Sequence, residues 1–145
     1  MKALIQRVKS SSVTIAGEVY SQIGSGMLIF VGVEKLDEKE NAKKLADKLL
    51  NLRIFEDEDG KMNRSLLDVK GEVLVVSQFT LCGDCKKGTR PSFDNSAPVE
   101  KAIDLYEYFV SLVKDSGLIT KTGKFQSHMD VSIVNDGPVT FMIEK

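Results

Sequence analysis

Two short, uninterrupted apolar runs constrain the fold of this chain most strongly. Residues 27–33 have the sequence Met-Leu-Ile-Phe-Val-Gly-Val, and residues 73–76 have the sequence Val-Leu-Val-Val. Short runs that are rich in β-branched side chains and lack polar alternation are typical of strands in the interior of a sheet. We expect both runs to be buried strands, and the first to be covered on both of its faces.

Two helices are predicted from apolar side chains that recur with the helical period. Asp37 and Glu40 resemble a capping box at the start of the first helix. Pro98 is expected in the first turn of the second helix, and Gly117 is expected to end it. The apolar face of the first helix would comprise Ala42, Leu45, Ala46, Leu49 and Leu50, and that of the second Ala102, Leu105, Tyr106, Phe109 and Val113.

The remaining periodic segments predict further strands. Residues 2–8 alternate between apolar and polar side chains, and residues 13–23 resemble a hairpin with its turn at Ala16-Gly17-Glu18. Residues 53–55 resemble a short strand, and the acidic residues 56–60 that follow resemble a solvated turn rather than a calcium loop. The sequence therefore predicts one mixed α+β domain over residues 1–145, with two main helices.

Composition limits the classes of protein to which the chain could belong, but a nucleic-acid-binding protein with a local basic patch is not excluded. The chain has 20 basic and 21 acidic residues, so no overall positive field marks it as a nucleic-acid-binding protein. No apolar run approaches the roughly 20 residues of a membrane span. The first residues lack the apolar segment of a secretory signal, and two cysteines do not make a disulfide framework. We expect a cytoplasmic protein.

Gly137-Pro138 lies between two strand-like runs, residues 129–134 and 139–143. The ordinary interpretation is a hairpin turn, because glycine adopts backbone angles that other residues resist and proline fixes its own φ. The alternative is a cis Gly-Pro peptide bond that holds backbone carbonyl groups in a defined arrangement. The segment alone does not decide between these interpretations.

Polar side chains follow the second apolar run directly, in Ser77-Gln78-Phe79-Thr80-Leu81. Polar groups at the end of a buried strand line a site, or else they satisfy the neighbouring backbone. The loop after them contains Lys86, Lys87 and Arg90, the basic cluster nearest to this strand end.

The usual catalytic and metal-binding motifs are missing. His128 is the single histidine, and no Gly-x-Ser-x-Gly elbow accompanies it. Cys82 and Cys85 form one Cys-x-x-Cys pair without a second pair that would complete a zinc site, so we expect two surface or half-buried thiols. No metal ligands, cofactor motif or general base can be assigned from the sequence.

Four motifs carry a family resemblance. Gln6-Arg7-Val8, residues 77–81, residues 88–93 (Gly-Thr-Arg-Pro-Ser-Phe) and residues 135–140 (Asn-Asp-Gly-Pro-Val-Thr) resemble the signatures of the D-aminoacyl-tRNA deacylases, the D-tyrosyl-tRNA deacylase family. The resemblance extends over essentially the whole chain. It implies a curved, mostly antiparallel or mixed sheet, and an enzyme that hydrolyses the ester of D-aminoacyl-tRNA without metal or cofactor.

The resemblance also implies partners and a quaternary arrangement. The partners would be the acceptor end of tRNA and a second copy of the chain, with no DNA and no membrane. In the homodimer a cis Gly137-Pro138 pair would reach into the pocket of the other subunit and exclude L-amino acids by steric clash. Arg7 would hold the carbonyl groups of this pair in place. Phe125 and Met129 would line the pocket, and Lys86, Lys87 and Arg90 would meet tRNA phosphates or remain a solvated loop.

Ser77, Gln78, Phe79 and Thr80 would form the catalytic wall opposite the Gly-Pro pair. Backbone N–H groups such as that of Phe79 would stabilise the oxyanion, and the 2′-hydroxyl of the substrate would activate the nucleophile. A competing mechanism uses Thr80 as nucleophile, although no base is predicted beside it.

Gln126-Ser127 departs from the Gly-Ala that many relatives carry after the phenylalanine, so the strictness towards glycyl-tRNA is open. A deacylase specialised for glycyl-tRNA and a non-catalytic tRNA-end-binding protein remain alternatives.

Overall fold

The computed structural model describes residues 1–145 and contains eight strands and three α-helices. The strands are β1 (Lys2–Ile15), β2 (Glu18–Ile23), β3 (Gly26–Gly32), β4 (Phe55–Glu56), β5 (Met62–Arg64), β6 (Glu72–Ser77), β7 (Thr120–Thr122) and β8 (Asp130–Glu144). The helices are α1 (Lys39–Asn51), α2 (Leu66–Val69) and α3 (Val99–Lys114), and a short 3-10 helix covers Phe79–Cys82.

The long strand β1 connects most of the main sheet. Its first half pairs with β3, its second half pairs with β2, and β8 runs antiparallel along its other edge. Beyond β3 the sheet continues through β6 and β7, and both of these pairings are parallel. The hydroxyl of Ser21 on β2 donates to the carbonyl of Thr122 on β7 at 2.9 Å, so the two ends of the sheet approach each other. The sheet is mixed, strongly curved and nearly closed.

Two apolar cores lie on the two faces of the sheet. The larger core joins α1 and α3 to inward side chains of β1, β3 and β6, and Leu45 and Phe109 are completely buried in it. The smaller core lies within the curve of the sheet and includes Val8, Leu28 and Val76. Residues 27–33 are therefore covered on both faces, as their sequence predicts.

The predicted mixed α+β class and the two long helices are confirmed. The apolar face predicted for α1 is buried at all five positions, and that of α3 is buried at all but Ala102, which is half-buried. The turn of the first hairpin lies at Ala16-Gly17, as expected. No helix is long and apolar enough to span a membrane.

The predicted start of α1 is wrong. Glu38 is the N-cap, and its backbone N–H donates to the side chain of Asn41 at 2.8 Å. Asp37 instead accepts a hydrogen bond from the backbone N–H of Glu34 at 2.6 Å and one from the amino group of Met1 at 2.5 Å. A contact with Met1, which directly precedes β1 and lies 36 positions from Asp37, cannot be read from local spacing. Pro98 is also displaced by one position, because it is the N-cap of α3 rather than its first residue.

The hairpin interpretation of Gly137-Pro138 is wrong as well. Residues 130–144 form one strand that continues through the pair, and the Gly137–Pro138 peptide bond is cis. The two runs that flank the pair lie end to end along β1 instead of folding back on each other.

Leu45→Ala should lower the free energy of unfolding by about 2–5 kcal/mol, because it leaves a cavity in the larger core. The matched control is Leu36→Ala, since Leu36 is 91% exposed and its truncation should change stability by less than about 0.5 kcal/mol. Urea unfolding of the two variants measures both values. Equal effects would contradict the burial of Leu45 in the larger core.

Candidate active site

A cavity of about 550 Å³ opens where β3 and β6 end. Because these strands are parallel, their carboxyl ends meet at one edge of the sheet, and Val31 pairs with Ser77 there. The start of α3 and residues 125–131 complete the wall. Crevices at the carboxyl ends of parallel strands are frequent ligand sites, and this volume lies within the roughly 300–1,000 Å³ of small-molecule pockets.

Ser77, Gln78 and Phe79 line the cavity at the end of β6. The N–H of Gln78 still donates to the carbonyl of Val31 at 2.7 Å, and the chain then turns into the 3-10 helix Phe79–Cys82. The first N–H groups of a helix have no partner within the helix. This turn therefore leaves the backbone N–H groups of Phe79 and Thr80 without a partner in the helix, and Phe79 lies at the edge of the cavity.

Thr80 does not line the cavity itself. Its side chain is exposed, and its hydroxyl accepts a hydrogen bond from the amide of Gln78. The ring of Phe79 is 57% exposed and packs against Phe93, with 5.0 Å between the ring centroids. Of the four residues that were predicted to form the catalytic wall, three therefore line the cavity and Thr80 does not.

Phe125 and Met129 lie on the opposite wall. The ring of Phe125 packs against Tyr106 of α3 with 5.8 Å between centroids. The hydroxyl of Tyr106 donates to the carbonyl of Val75 at 2.9 Å, and burial raises the pKa of this phenol, so it remains protonated. Gln126 lines the same wall with φ at +55°, a left-handed conformation that costs a non-glycine residue about 1 kcal/mol.

The Gly-Pro segment forms a wide bulge in β8. Gln6 pairs with Thr140 and Val8 pairs with Asn135, so the four residues 136–139 lie opposite the single residue Arg7. The side chain of Asn135 closes this bulge, because its carbonyl accepts from the N–H of Val139 at 2.7 Å and its amide donates to the carbonyl of Val139 at 3.2 Å.

Arg7 is buried beneath the bulge, with only 5% of the residue exposed. Its Nε donates to the carbonyl of Asp136 at 3.0 Å, and its Nη1 donates to the carbonyl of Ile54 at 2.8 Å. Carboxylate oxygens of Asp136 and Glu56 lie 3.3 Å and 3.2 Å from the guanidinium. A planar guanidinium has several N–H donors and can bind acceptors on different segments at once. Arg7 therefore connects β1, β4 and the bulge of β8.

Gly137 occupies a position that no other residue would fit. Its φ is +137°, and an added Cβ would lie 2.6 Å from Cγ2 of Val139. Gly137 and Pro138 are both exposed, and neither of them lines the cavity of its own chain. Arg7 does not line the cavity either. The predicted gate and the predicted catalytic wall are therefore separate within one chain.

The other candidate groups lie outside the cavity or offer no metal site. Lys86, Lys87 and Arg90 are exposed on the loop beside Phe93 and make no ion pair. His128 borders the cavity but its side chain is 97% exposed, and no cluster of three or more His, Cys, Asp or Glu side chains could hold a metal ion.

The expectation of two surface or half-buried thiols is wrong for Cys82. Only Cys85 is exposed, whereas Cys82 is buried and its thiol contacts the carbonyl of Val33 at 3.5 Å. Burial also raises the pKa of the Cys82 thiol, which disfavours the thiolate.

Sequence reasoning missed part of the cavity wall, namely Val33 after β3 and Ser96, Ala97, Val99 and Ala102 around the start of α3. The spacing of Val99 and Ala102 places both on one helical face, but Ala102 was assigned to the core. Ser96 has no signal in the sequence, because its place depends on the bridge between residues 34 and 96.

The fold and the site define an α+β domain with a cavity at the ends of two parallel strands, and no Asp, Glu, Lys or Arg lines this cavity. The sequence profile of the family described as D-Tyr-tRNA(Tyr) deacylase matches residues 4–144 of this chain. The chain therefore belongs to the D-Tyr-tRNA(Tyr) deacylase family.

Curated relatives support the assignment. The chain is 55% identical over 144 residues to a D-aminoacyl-tRNA deacylase of Thermosipho africanus, covering 99% of this chain and 97% of the relative. It is 56% identical over 145 residues to a D-aminoacyl-tRNA deacylase of Pelobacter propionicus, with complete coverage of both chains.

Two solved structures have similar folds. A structure titled c-Myc DNA Unwinding Element Binding Protein has a TM-score of 0.94 and 42% identity, covering 100% of this chain and 99% of that chain. A structure titled as a probable eukaryotic D-amino acid tRNA deacylase has a TM-score of 0.86 at 17% identity, covering 99% of this chain and 98% of that chain, and this likeness concerns the fold alone.

Arg7→Lys should lower the free energy of unfolding by about 2–3 kcal/mol, because one ammonium cannot satisfy carbonyl groups on two separate segments, at Ile54 and at Asp136. Arg53→Lys is the matched control, since Arg53 is exposed and binds the backbone carbonyl and side chain of the single residue Asn63. Its replacement should cost less than about 1 kcal/mol. Thermal and urea unfolding compare the two variants, and equal losses would contradict the special role of Arg7.

Proposed function

We propose that this protein hydrolyses the ester bond of D-aminoacyl-tRNA and releases free tRNA and the D-amino acid. This activity would serve chiral proofreading of translation in the cytoplasm. The observation that supports it most directly is the cavity at the end of β6, whose volume suits an aminoacyl-adenosine and whose edge carries backbone N–H donors. Membership of the deacylase family gives the reaction, and the proposal needs no metal or cofactor.

The backbone N–H of Phe79 serves as the oxyanion donor in the proposed mechanism. Water attacks the ester carbonyl carbon, and negative charge develops on the carbonyl oxygen at the edge of the 3-10 helix. The bond between the carbonyl carbon and the ribose 3′-oxygen then breaks. The 2′-hydroxyl of the terminal ribose accepts the proton of the water and passes its own proton to the 3′-oxygen. Ser77 and Gln78 position this backbone turn.

Thr80 is the less favoured nucleophile. Its side chain lies outside the cavity, and its hydroxyl is already an acceptor for the amide of Gln78. An amide donor holds a hydroxyl in place without removing its proton, whereas a serine-type or threonine-type nucleophile needs an adjacent base. The geometry therefore supports assistance by the substrate over covalent catalysis by Thr80.

Gly137 and Pro138 form the chiral gate of the proposal. Their carbonyl groups would lie against Cα of the substrate, leave room for a hydrogen atom and exclude the side chain of an L-amino acid. Arg7 and Asn135 support this role, because they fix the bulge on both sides. Glycyl esters lack a side chain and would pass the same gate. Gln126-Ser127 on the facing wall would then influence how well they are bound.

The gate acts across subunits of a homodimer. Gly137 and Pro138 are exposed and do not line their own cavity, so a second copy is needed to bring gate and cavity together. β8 pairs only with β1 and leaves its other edge free. The same strand exposes large apolar side chains, and such patches mark contact surfaces, here at Ile133, Val134, Phe141 and Met142.

The acceptor end of tRNA is the second partner. Lys86, Lys87 and Arg90 are exposed on the loop that follows the 3-10 helix, and Phe93 of the same loop packs on Phe79 at the cavity rim. Cations at this place suit the phosphates next to the terminal nucleotide. The cavity itself has no charged Lys, Arg, Asp or Glu in its lining.

The test uses matched tRNAs that carry a D-amino acid, its L-enantiomer or glycine. The purified protein should hydrolyse the D-aminoacyl ester rapidly without added metal and should spare the L-aminoacyl ester. The discrimination comes from a steric clash that only an L side chain meets. Release of free amino acid over time measures all three rates. Cleavage of both enantiomers would contradict the gate, and cleavage of none would contradict the enzymatic proposal.

Two alternatives are decided by the same assay. A hydrolysis rate on glycyl-tRNA that exceeds the rate on D-aminoacyl-tRNA would identify a deacylase specialised for glycyl-tRNA. This alternative is tested because Gln126-Ser127 departs from the Gly-Ala of many relatives. Binding without turnover would identify a tRNA-end-binding protein.

A solved structure that resembles this chain is titled as a DNA-binding protein. Binding to duplex DNA should therefore be measured at the same salt concentration as binding to tRNA. We expect no specific binding to duplex DNA.

Thr80→Ala should retain activity within about threefold of the unchanged protein, because the loss of a hydroxyl outside the cavity removes no transition-state contact. Thr80→Ser is the matched control, since it keeps the hydroxyl and the acceptor for Gln78. Single-turnover rates on a D-aminoacyl-tRNA measure the effect. A loss of several orders of magnitude in Thr80→Ala, restored in Thr80→Ser and without unfolding, would establish Thr80 as the nucleophile.

A further inference from the structure

The hydroxyl of Tyr106 is a buried polar group that the proposed mechanism does not use. Tyr106 is 5% exposed, and its hydroxyl donates to the carbonyl of Val75 at 2.9 Å. The N–H of Gly123 donates to the same carbonyl, also at 2.9 Å. A carbonyl oxygen has two lone pairs, so these two donors satisfy it. Helix α3, strand β6 and the segment that follows β7 therefore meet at one oxygen atom.

Residues 123–129 connect β7 to β8 and carry one wall of the cavity. Three of their side chains line the cavity, namely Phe125, Gln126 and Met129. The hydrogen bond from Gly123 to Val75 attaches this segment to β6. Ser77, on the opposite wall, lies only two residues after Val75 on the same strand. The oxygen that holds one wall thus belongs to the strand that ends in the other wall.

Close packing alone does not fix the position of Phe125. This side chain borders the cavity and also a second groove of about 370 Å³. A residue that borders two open spaces has fewer close contacts than a residue of a filled core. The ring of Tyr106 packs against Phe125 and lines the second groove as well. The position of Phe125 therefore depends on Tyr106 and on the hydrogen bonds at Val75.

Helix α3 places Tyr106 directly behind the cavity wall. Val99, Ala102 and Tyr106 are spaced by three and four residues, so they lie on one face of the helix. The first two line the cavity, and Tyr106 follows one turn deeper in the protein.

We propose that Tyr106 is a positioning residue of the active site, whose ring and hydroxyl hold Phe125 at a fixed distance from the end of β6. This inference rests on the proposed function, because the wall acts only when the aminoacylated end is bound. Without the hydroxyl the wall samples displaced positions, and only part of the population binds substrate. The apparent affinity falls by that fraction. The backbone donor at Phe79 lies on the other wall and keeps its place, so kcat is preserved.

Tyr106→Phe removes the hydroxyl and keeps the ring that packs on Phe125. It should raise KM for a D-aminoacyl-tRNA by about three- to tenfold and leave kcat within about twofold of the unchanged protein. Steady-state hydrolysis rates over a range of substrate concentrations measure both constants.

Two control variants separate positioning from stability. Tyr108→Phe is the matched control, because Tyr108 lies on the same helix, lines neither the cavity nor the second groove, and has a hydroxyl without a hydrogen bond in the protein. Leu45→Ala destabilises the larger core at a distance from the cavity. Both variants should keep the KM of the unchanged protein at temperatures where they are folded.

Amide hydrogen exchange tests the same inference without any substrate. In Tyr106→Phe the N–H of Gly123 should exchange about three- to tenfold faster, because its acceptor has lost the second donor that held α3 against it. The N–H of Val73, which donates to the carbonyl of Ile119 at 2.8 Å, provides the internal reference on β6 and should keep its rate. Tyr108→Phe should change neither rate.

Several outcomes would overturn the inference. One is a KM of Tyr106→Phe that equals that of Tyr108→Phe, and another is an unchanged exchange rate at Gly123. An equal rise of KM in Leu45→Ala would indicate general destabilisation, and a fall in kcat at constant KM would place the effect on the chemical step. A protein that cleaves no aminoacyl-tRNA would instead contradict the proposed function, while the exchange rates would still report whether Tyr106 holds the wall.

Discussion

The structure depends most on the burial of one guanidinium group. A buried cation is costly unless hydrogen bonds and opposite charge replace its water. Arg7 meets this requirement with the carbonyl of Ile54 just before β4, the carboxylate of Glu56 on β4, and the carbonyl and carboxylate of Asp136 in the bulge of β8. These contacts allow four residues of β8 to lie opposite a single residue of β1 without breaking the strand. The bulge in turn places Gly137 and Pro138 on the surface.

Most of the scaffold could be predicted because its signals are local. The helical spacing of Leu45 and Leu49 predicts the buried face of α1, and the apolar run 27–33 predicts a central strand. The conformation of Gly137-Pro138 could not be predicted from local signals, because the same two residues are compatible with a hairpin turn and with a bulge. The pairing of β1 with both flanking runs decides between them, and that pairing joins residues more than a hundred positions apart. The error at Asp37 has the same origin.

The candidate site was predicted in part for a similar reason. Ser77 and Gln78 follow a buried strand, so their place at the cavity edge could be expected from the sequence. Ser96 could not be found, because its position depends on hydrogen bonds between residues 93–97 and the segment after β3. The separation of Gly137 from the cavity of its own chain is likewise a property of the assembled sheet. The end of β6 and the bulge of β8 are thereby separate elements, which can vary independently in sequence.

The pairing of β1 with β8 also has a consequence for how the protein is made. β1 precedes β8 in the chain and is synthesised before it, so the strand pairing that creates the bulge forms only after β8 has been synthesised. Contacts between such distant residues raise the contact order and slow folding. Until then one edge of β1 lacks its partner strand, and unpaired edges favour association between chains. The pairing that forms the bulge therefore leaves a nascent chain dependent on the rapid addition of β8 to β1.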